Sequence, residues 1–148
     1  MSTRGNIAIR LKEEHLNTVL EFNENIKPNL RSLSCLNTVM TNAATPYLQI
    51  YNHHDSYPSH LGKILFNHYK TYDEVLNLIL AGDTSGVGPE TTSYYAPYDG
   101  YDDTKPSSTV KPLQNEEYLY VFENNQWFIQ GKAYTELTPL TEEIIIND

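Results

Sequence analysis

Residues 6–12 alternate apolar and polar positions. Ile7, Ile9 and Leu11 fall on one side, and Asn6, Ala8, Arg10 and Lys12 on the other. A period of two is that of a strand with one buried face. The alternation returns over residues 47–54, where Leu48 and Ile50 oppose a row of Tyr47, Gln49, Tyr51 and His53. Near the end, residues 118–122 and 127–130 read as a hairpin. Asn124 and Asn125 supply the turn, since both tolerate positive φ, and Gly131 ends the second strand. Residues 92–95 suit a further short strand. Residues 144–146 suit either an edge strand or a last amphipathic turn.

Between these strands the period changes. After a turn at residues 56–58, Ser59 suits the N-cap of a helix reaching residue 70, with Leu61, Ile64, Leu65 and His68 on one stripe. Thr71 caps a second helix over residues 72–81, and Glu74 completes a capping box. Val75, Leu78 and Ile79 face inward there, and Gly82 stops the helix. Residues 13–44 have weaker helical spacing, carried by Leu16, Val19 and Leu20, then by Leu30, Leu33, Leu36, Val39 and Met40, with Pro28 between. Prolines and glycines crowd residues 83–112, and residues 99–112 read as a mobile loop.

The pattern predicts one α+β domain over residues 1–148. Its antiparallel sheet has about four or five strands, two short consecutive helices pack on it, and residues 13–44 form a helical insertion. Length and composition agree: 148 residues with 39% hydrophobic content make one core. A net charge of −9 argues against a surface built to bind nucleic acid directly. The single cysteine, Cys35, allows no intrachain disulfide and no cysteine-based zinc site, which suits a reducing cytoplasm. The first residues lack the apolar core of a signal peptide, and no apolar run approaches a membrane span.

Several short motifs recur in a fixed order. They are Ser2-Thr3-Arg4 ahead of Ile7 and Ile9; Tyr51, His53, Asp55, Tyr57 and Pro58; and Gly62, Ile64, Leu65, His68 and Tyr69. Val75, Leu78, Ile79, Gly82, Asp83 and Ser85 follow, then Glu117-Tyr118-Leu119-Tyr120-Val121-Phe122 and Trp127. In this order the chain resembles a family of small phage-encoded proteins of mostly uncharacterised function. The resemblance implies a phage origin and a shared fold and supplies no reaction; the expected location is the host-cell cytoplasm. It covers most of the chain outside residues 13–44. The chain departs from that family at His54, where an aromatic is usual, at Ser56, where glycine is usual, and over residues 95–98, where Tyr-Ala-Pro-Tyr replaces a charged strand.

Four of the five histidines, His53, His54, His60 and His68, lie close together around Asp55. Imidazole with carboxylate suits a metal. The spacing speaks against one: His53 and His54 point to opposite faces of a strand, and His60 and His68 stand about 12 Å apart along a helix. A simpler reading is a hydrogen-bonded strand-to-helix corner, with the Asp55 carboxylate accepting backbone N–H groups or pairing with His53. His68 reads as a core residue. No motif sets a reaction class, and Ser56 makes a poor nucleophile candidate, so the expectation is a protein that is no enzyme and uses no metal or cofactor.

Binding fits the polar rows better. Tyr47, Tyr51, His53, Asp55 and Tyr57, with Arg4, Arg10 and Lys63, are the expected ligand-binding residues. A base would stack on tyrosine while a cation and the helix start hold a phosphate. The expected role is a non-enzymatic phage accessory protein that counters host defence by sequestering a small nucleotide-like signal, as a homo-oligomer away from membranes. Two alternatives stand beside it. One is an acidic inhibitor that binds a host defence protein by nucleic-acid mimicry. The other is a metal-dependent hydrolase built on His53, Asp55 and a helical histidine.

Overall fold

The computed structural model describes residues 3–11, 47–88, 93–94, 107–109, 112, 114, 116–132 and 134–148. The expected helical insertion over residues 13–44 lies outside them. The fold is α+β. Its strands are β1 (Gly5–Arg10), β2 (Tyr47–Asn52), β3 (Thr84–Gly86), β4 (Ser93–Tyr94), β5 (Ser107–Thr109), β6 (Tyr118–Glu123), β7 (Gln126–Gly131) and β8 (Tyr134–Pro139). After β2 a π-helical turn, Pro58–Gly62, runs into α1 (Lys63–His68), followed by α2 (Tyr72–Leu80); α3 (Glu142–Ile146) follows β8.

The sheet has eight strands in the order β4-β3-β2-β1-β6-β7-β8, with β5 also on β2. This corrects the expected antiparallel sheet of four or five strands. The sheet is mixed, because β1 runs parallel to β6 and β2 parallel to β3. Alternation identifies a strand but carries no information on its neighbour or direction, so the parallel pairs were not legible. Residues 107–109 form β5, within the stretch read as a mobile loop.

The helices cover one face of the sheet. Ile7, Ile9, Leu48, Ile50, Tyr120, Phe122, Trp127 and Ile129 meet Leu61, Leu65, Val75, Leu76, Leu78 and Ile79 in one buried cluster. Two edge-to-face aromatic contacts organise its end: Phe122 lies 5.0 Å from Tyr72 and 5.1 Å from Trp127. The Trp127 indole donates to the Tyr69 carbonyl at 2.8 Å, tying the hairpin to the link between α1 and α2. The opposite face carries a smaller cluster of Ala8, Leu119 and Val121, with Tyr47 and Phe128 against it.

Local chemistry behaves as expected at α2. Thr71 accepts from the Glu74 N–H and the Glu74 carboxylate accepts from the Thr71 N–H, closing the capping box. Asn124 and Asn125 both take positive φ in the β6–β7 turn. Residues 144–146 resolve as helix, capped by Thr141. His68 departs from its expected core position and is exposed. The helix ends there, and Tyr69, just past it at φ −122° and ψ 80°, is partly buried instead.

Gly131 closes the hairpin at φ 129°, and a Cβ there would run into the Glu117 carbonyl. Replacing Gly131 by Ala is expected to cost about 2–4 kcal/mol, from left-handed strain and the clash together. A denaturant titration checks this; an unchanged midpoint would contradict the geometry.

Candidate functional site

The corner after β2 is a polar knot centred on Ser56, which is fully buried. The Asn52 amide donates to Ser56 Oγ at 2.8 Å and to the His54 carbonyl at 2.9 Å, and its oxygen accepts from Thr84 Oγ1 at 2.6 Å. The Ser56 N–H donates to the Thr3 carbonyl at 2.9 Å, and Tyr120 donates its hydroxyl to the Ser56 carbonyl at 2.7 Å. Burial raises the Tyr120 pKa well above the ordinary phenol value, which keeps that donor protonated. The corner bends at Asp55, which takes φ 54°. Residue 56 therefore needs no glycine, which accounts for the serine there.

Asp55 acts through its backbone: its carbonyl accepts from the Leu61 N–H at 3.2 Å. Among the described residues its carboxylate takes no hydrogen bond, so neither the expected Asx arrangement nor a pair with His53 forms. His53 Nδ1 pairs instead with the Tyr51 hydroxyl at 2.6 Å, along the row the alternation laid out. The chain leaves the strand at Asn52, so His53 and His54 do not oppose each other; their rings lie 4.5 Å apart. Their N–H groups donate to the Thr84 and Ser85 carbonyls at 3.0 and 2.8 Å. Among the described residues no group of three metal-ligating side chains assembles.

The expected binding residues separate into two groups. Tyr47, Arg10 and Glu123 form one network on the second face, with the Tyr47 hydroxyl donating to Glu123 at 2.6 Å and Arg10 bonding the same oxygen at 3.0 Å. Burial first, then this carboxylate, pushes the Tyr47 pKa up to about 12. Tyr51 and His53 lie further along that face, with the exposed Arg4 near His53. Tyr57 precedes the π-turn, its ring 5.9 Å from that of His60. Lys63 is exposed on a helix packed against the other face, so the sheet stands between it and the tyrosine row.

Ser59 is not the N-cap. Tyr57 holds that position without a side-chain bond, and Pro58 starts the turn. Pro58 fits there because its missing N–H is not needed at a helix start. Ser59 instead donates its N–H and Oγ to Asp148 at 3.0 and 2.8 Å. Beside this contact opens a cleft of about 260 Å³ lined by Pro58, Tyr118, Lys132, Tyr134, Ile144, Asn147 and Asp148. Lys132 takes φ 46°, and its ammonium stands 5.3 Å from the Tyr118 ring centroid and 3.8 Å from the Glu117 carboxylate. Burial raises the Tyr118 pKa, against the pull of Lys132.

The cleft is lined by tyrosines and a lysine other than those expected from the sequence. Tyr118 shares its strand face with Tyr120 and Phe122, a signal already present in the alternation. Lys132, Tyr134 and Asp148 gave no local signal, since turns and packing bring them in from far along the chain. Comparison of the chain with protein families, curated proteins and solved structures gives no match.

Two outcomes follow. Replacing Asn52 by Ala leaves the partners of a buried amide unsatisfied and is expected to cost about 3 kcal/mol of unfolding free energy. A loss below about 1 kcal/mol would mean that the knot contributes little. The second concerns pH. Loss of hydration, then the His54 and Arg4 charges, lower the His53 pKa below its ordinary 6.5. As pH falls through 6.5 the unfolded chain takes up this proton before the folded one, so stability declines. His53→Gln is expected to lessen that decline, and NMR titration of the wild-type ring should give a midpoint below 6.5.

Proposed function

We propose that this chain is a non-catalytic binding protein that takes a small nucleotide-like anion into the cleft between Tyr118, Tyr134 and Lys132. The observation that carries this reading is the cleft itself, where two tyrosines and an ammonium line about 260 Å³. Aromatic walls suit a nucleobase and Lys132 suits a phosphate oxygen. Asp148 offers an acceptor to a sugar hydroxyl or an exocyclic amine. With Asp148 and Glu117 close to a single lysine, a ligand of one negative charge is favoured over a polyphosphate. A cyclic nucleotide has that charge. The counter-defence role, by sequestering such a signal, draws its support from the resemblance to phage-encoded proteins.

Thermal unfolding with a panel of nucleosides and cyclic nucleotides tests this. A ligand at about a hundred times its Kd adds about 2.7 kcal/mol, which is a rise of roughly 5–10 °C in a chain of this size. Lys132→Ala and Tyr134→Ala are each expected to remove the rise, and Lys63→Ala to leave it. No rise with any member of the panel sinks the proposal.

A second reading, the acidic inhibitor of a host protein, is favoured by the charge distribution. Residues 114–148 carry seven carboxylates and one lysine. Glu117, Glu136, Glu142, Glu143 and Asp148 are exposed. Binding of this kind weakens steeply as salt rises. Affinity unchanged between low and physiological ionic strength would remove this reading.

A further inference from the structure

We infer that the outer edge of β8 is a docking strand for an extended, basic segment of another protein. The inference rests on the acidic-inhibitor reading and gives it a place of contact. β8 ends the strand order and pairs with β7 alone; among the described residues no strand pairs with its outer edge, and the Glu136 carbonyl accepts only the Thr138 hydroxyl of the same strand, at 2.9 Å. A row of unpaired N–H and C=O groups along an edge is a template for a further strand. Natural edges are commonly blunted by lysine, by proline within the strand or by a bulge, and the one irregularity of the β7–β8 ladder falls at its Ile129–Gly131 end, leaving the stretch opposite Phe128 and Ile129 regular. Here the sole proline, Pro139, is the last residue of β8, and Thr135, Glu136 and Leu137 are all exposed.

Charge and side-chain alternation define the occupant. Glu136 and Leu137 point to opposite sides of the strand. Glu142 and Glu143 follow in the first turn of α3. Leu137 is 39% exposed, one of two large apolar side chains left open among the described residues. A segment alternating lysine with an apolar residue would meet the carboxylates on one side and Leu137 on the other while completing the backbone ladder. A second copy of this chain is a poorer occupant, because it would bring its own acidic strand and a net charge of −9 against the same charge.

The probe is a fluorescent peptide of alternating lysine and valine, with two relatives: the same peptide N-methylated at alternate residues, and an alternating glutamate–valine peptide. N-methylation removes backbone donors and leaves the charge. The expected result is that the lysine peptide binds in fluorescence anisotropy, the glutamate peptide does not, and the N-methylated peptide binds at least about tenfold more weakly. Hydrogen–deuterium exchange should slow in residues 134–139 of the complex. Equal binding of the methylated peptide would overturn strand addition while leaving a purely electrostatic acidic surface. No binding of either basic peptide at low salt would overturn the docking strand and the acidic surface together. Sedimentation of the protein alone covers the remaining case: a dimer that the lysine peptide does not dissociate would mean that a second copy already closes the edge.

Discussion

A buried serine holds the fold at the point where its parts meet. Ser56 touches the approach to β1 through the Thr3 carbonyl, β2 through Asn52 and β6 through the Tyr120 hydroxyl. It also packs under Gly5, where an added Cβ would lie 2.8 Å from Ser56 Cβ and 2.9 Å from its Oγ. In a buried setting each of these polar groups must find a partner, because an unmet one costs more than a met one gains. The requirement is mutual. Strand order, the turn at Asp55 and the placement of the helix start are satisfied together or not at all.

The knot has a further effect on the surface. By fixing the start of the π-turn against β6, it brings Pro58 beside Tyr118. Asp148 and α3 then fold over that junction, and the turn after β7 contributes Lys132. The cleft is thus assembled from four separate stretches of chain around one rigid corner. Its polar groups sit on the rim of a packed core. The second face is different in kind. There Arg10 and Tyr47 both bond one carboxylate oxygen of Glu123, tying β1, β2 and β6 together across the face.

What could be read from the chain follows from the range of each interaction. β1, β2, β6 and β7 were legible, because alternation of buried and exposed positions is a local property. The α2 capping box was legible for the same reason: its partners are three residues apart. β8 was missed because Tyr-Thr-Glu-Leu-Thr-Pro has one polar face and one mixed face, with no buried stripe to mark it. The cleft was not legible because its lining residues are distant in sequence. Ser59 and Asp148 are 89 residues apart, and no spacing rule connects them. The histidines show the same limit: His53 and His54, expected on opposite faces of a strand, sit together, and His68, expected in the core, stands exposed.

The parallel contact of β1 with β6 bears on how the chain acquires its structure during synthesis. These strands are joined by the Arg10–Glu123 pair, 113 residues apart. At translation rates of about 5–20 residues per second, β1 leaves the ribosome roughly 6–20 s before its central neighbour exists. Through that interval, among the described residues, Ile7 and Ile9 have β2 and the helices to shelter them. The middle of the sheet is therefore completed last, when the C-terminal hairpin emerges and inserts beside a strand already waiting for it. Until then the side of β1 that receives β6 lacks that partner.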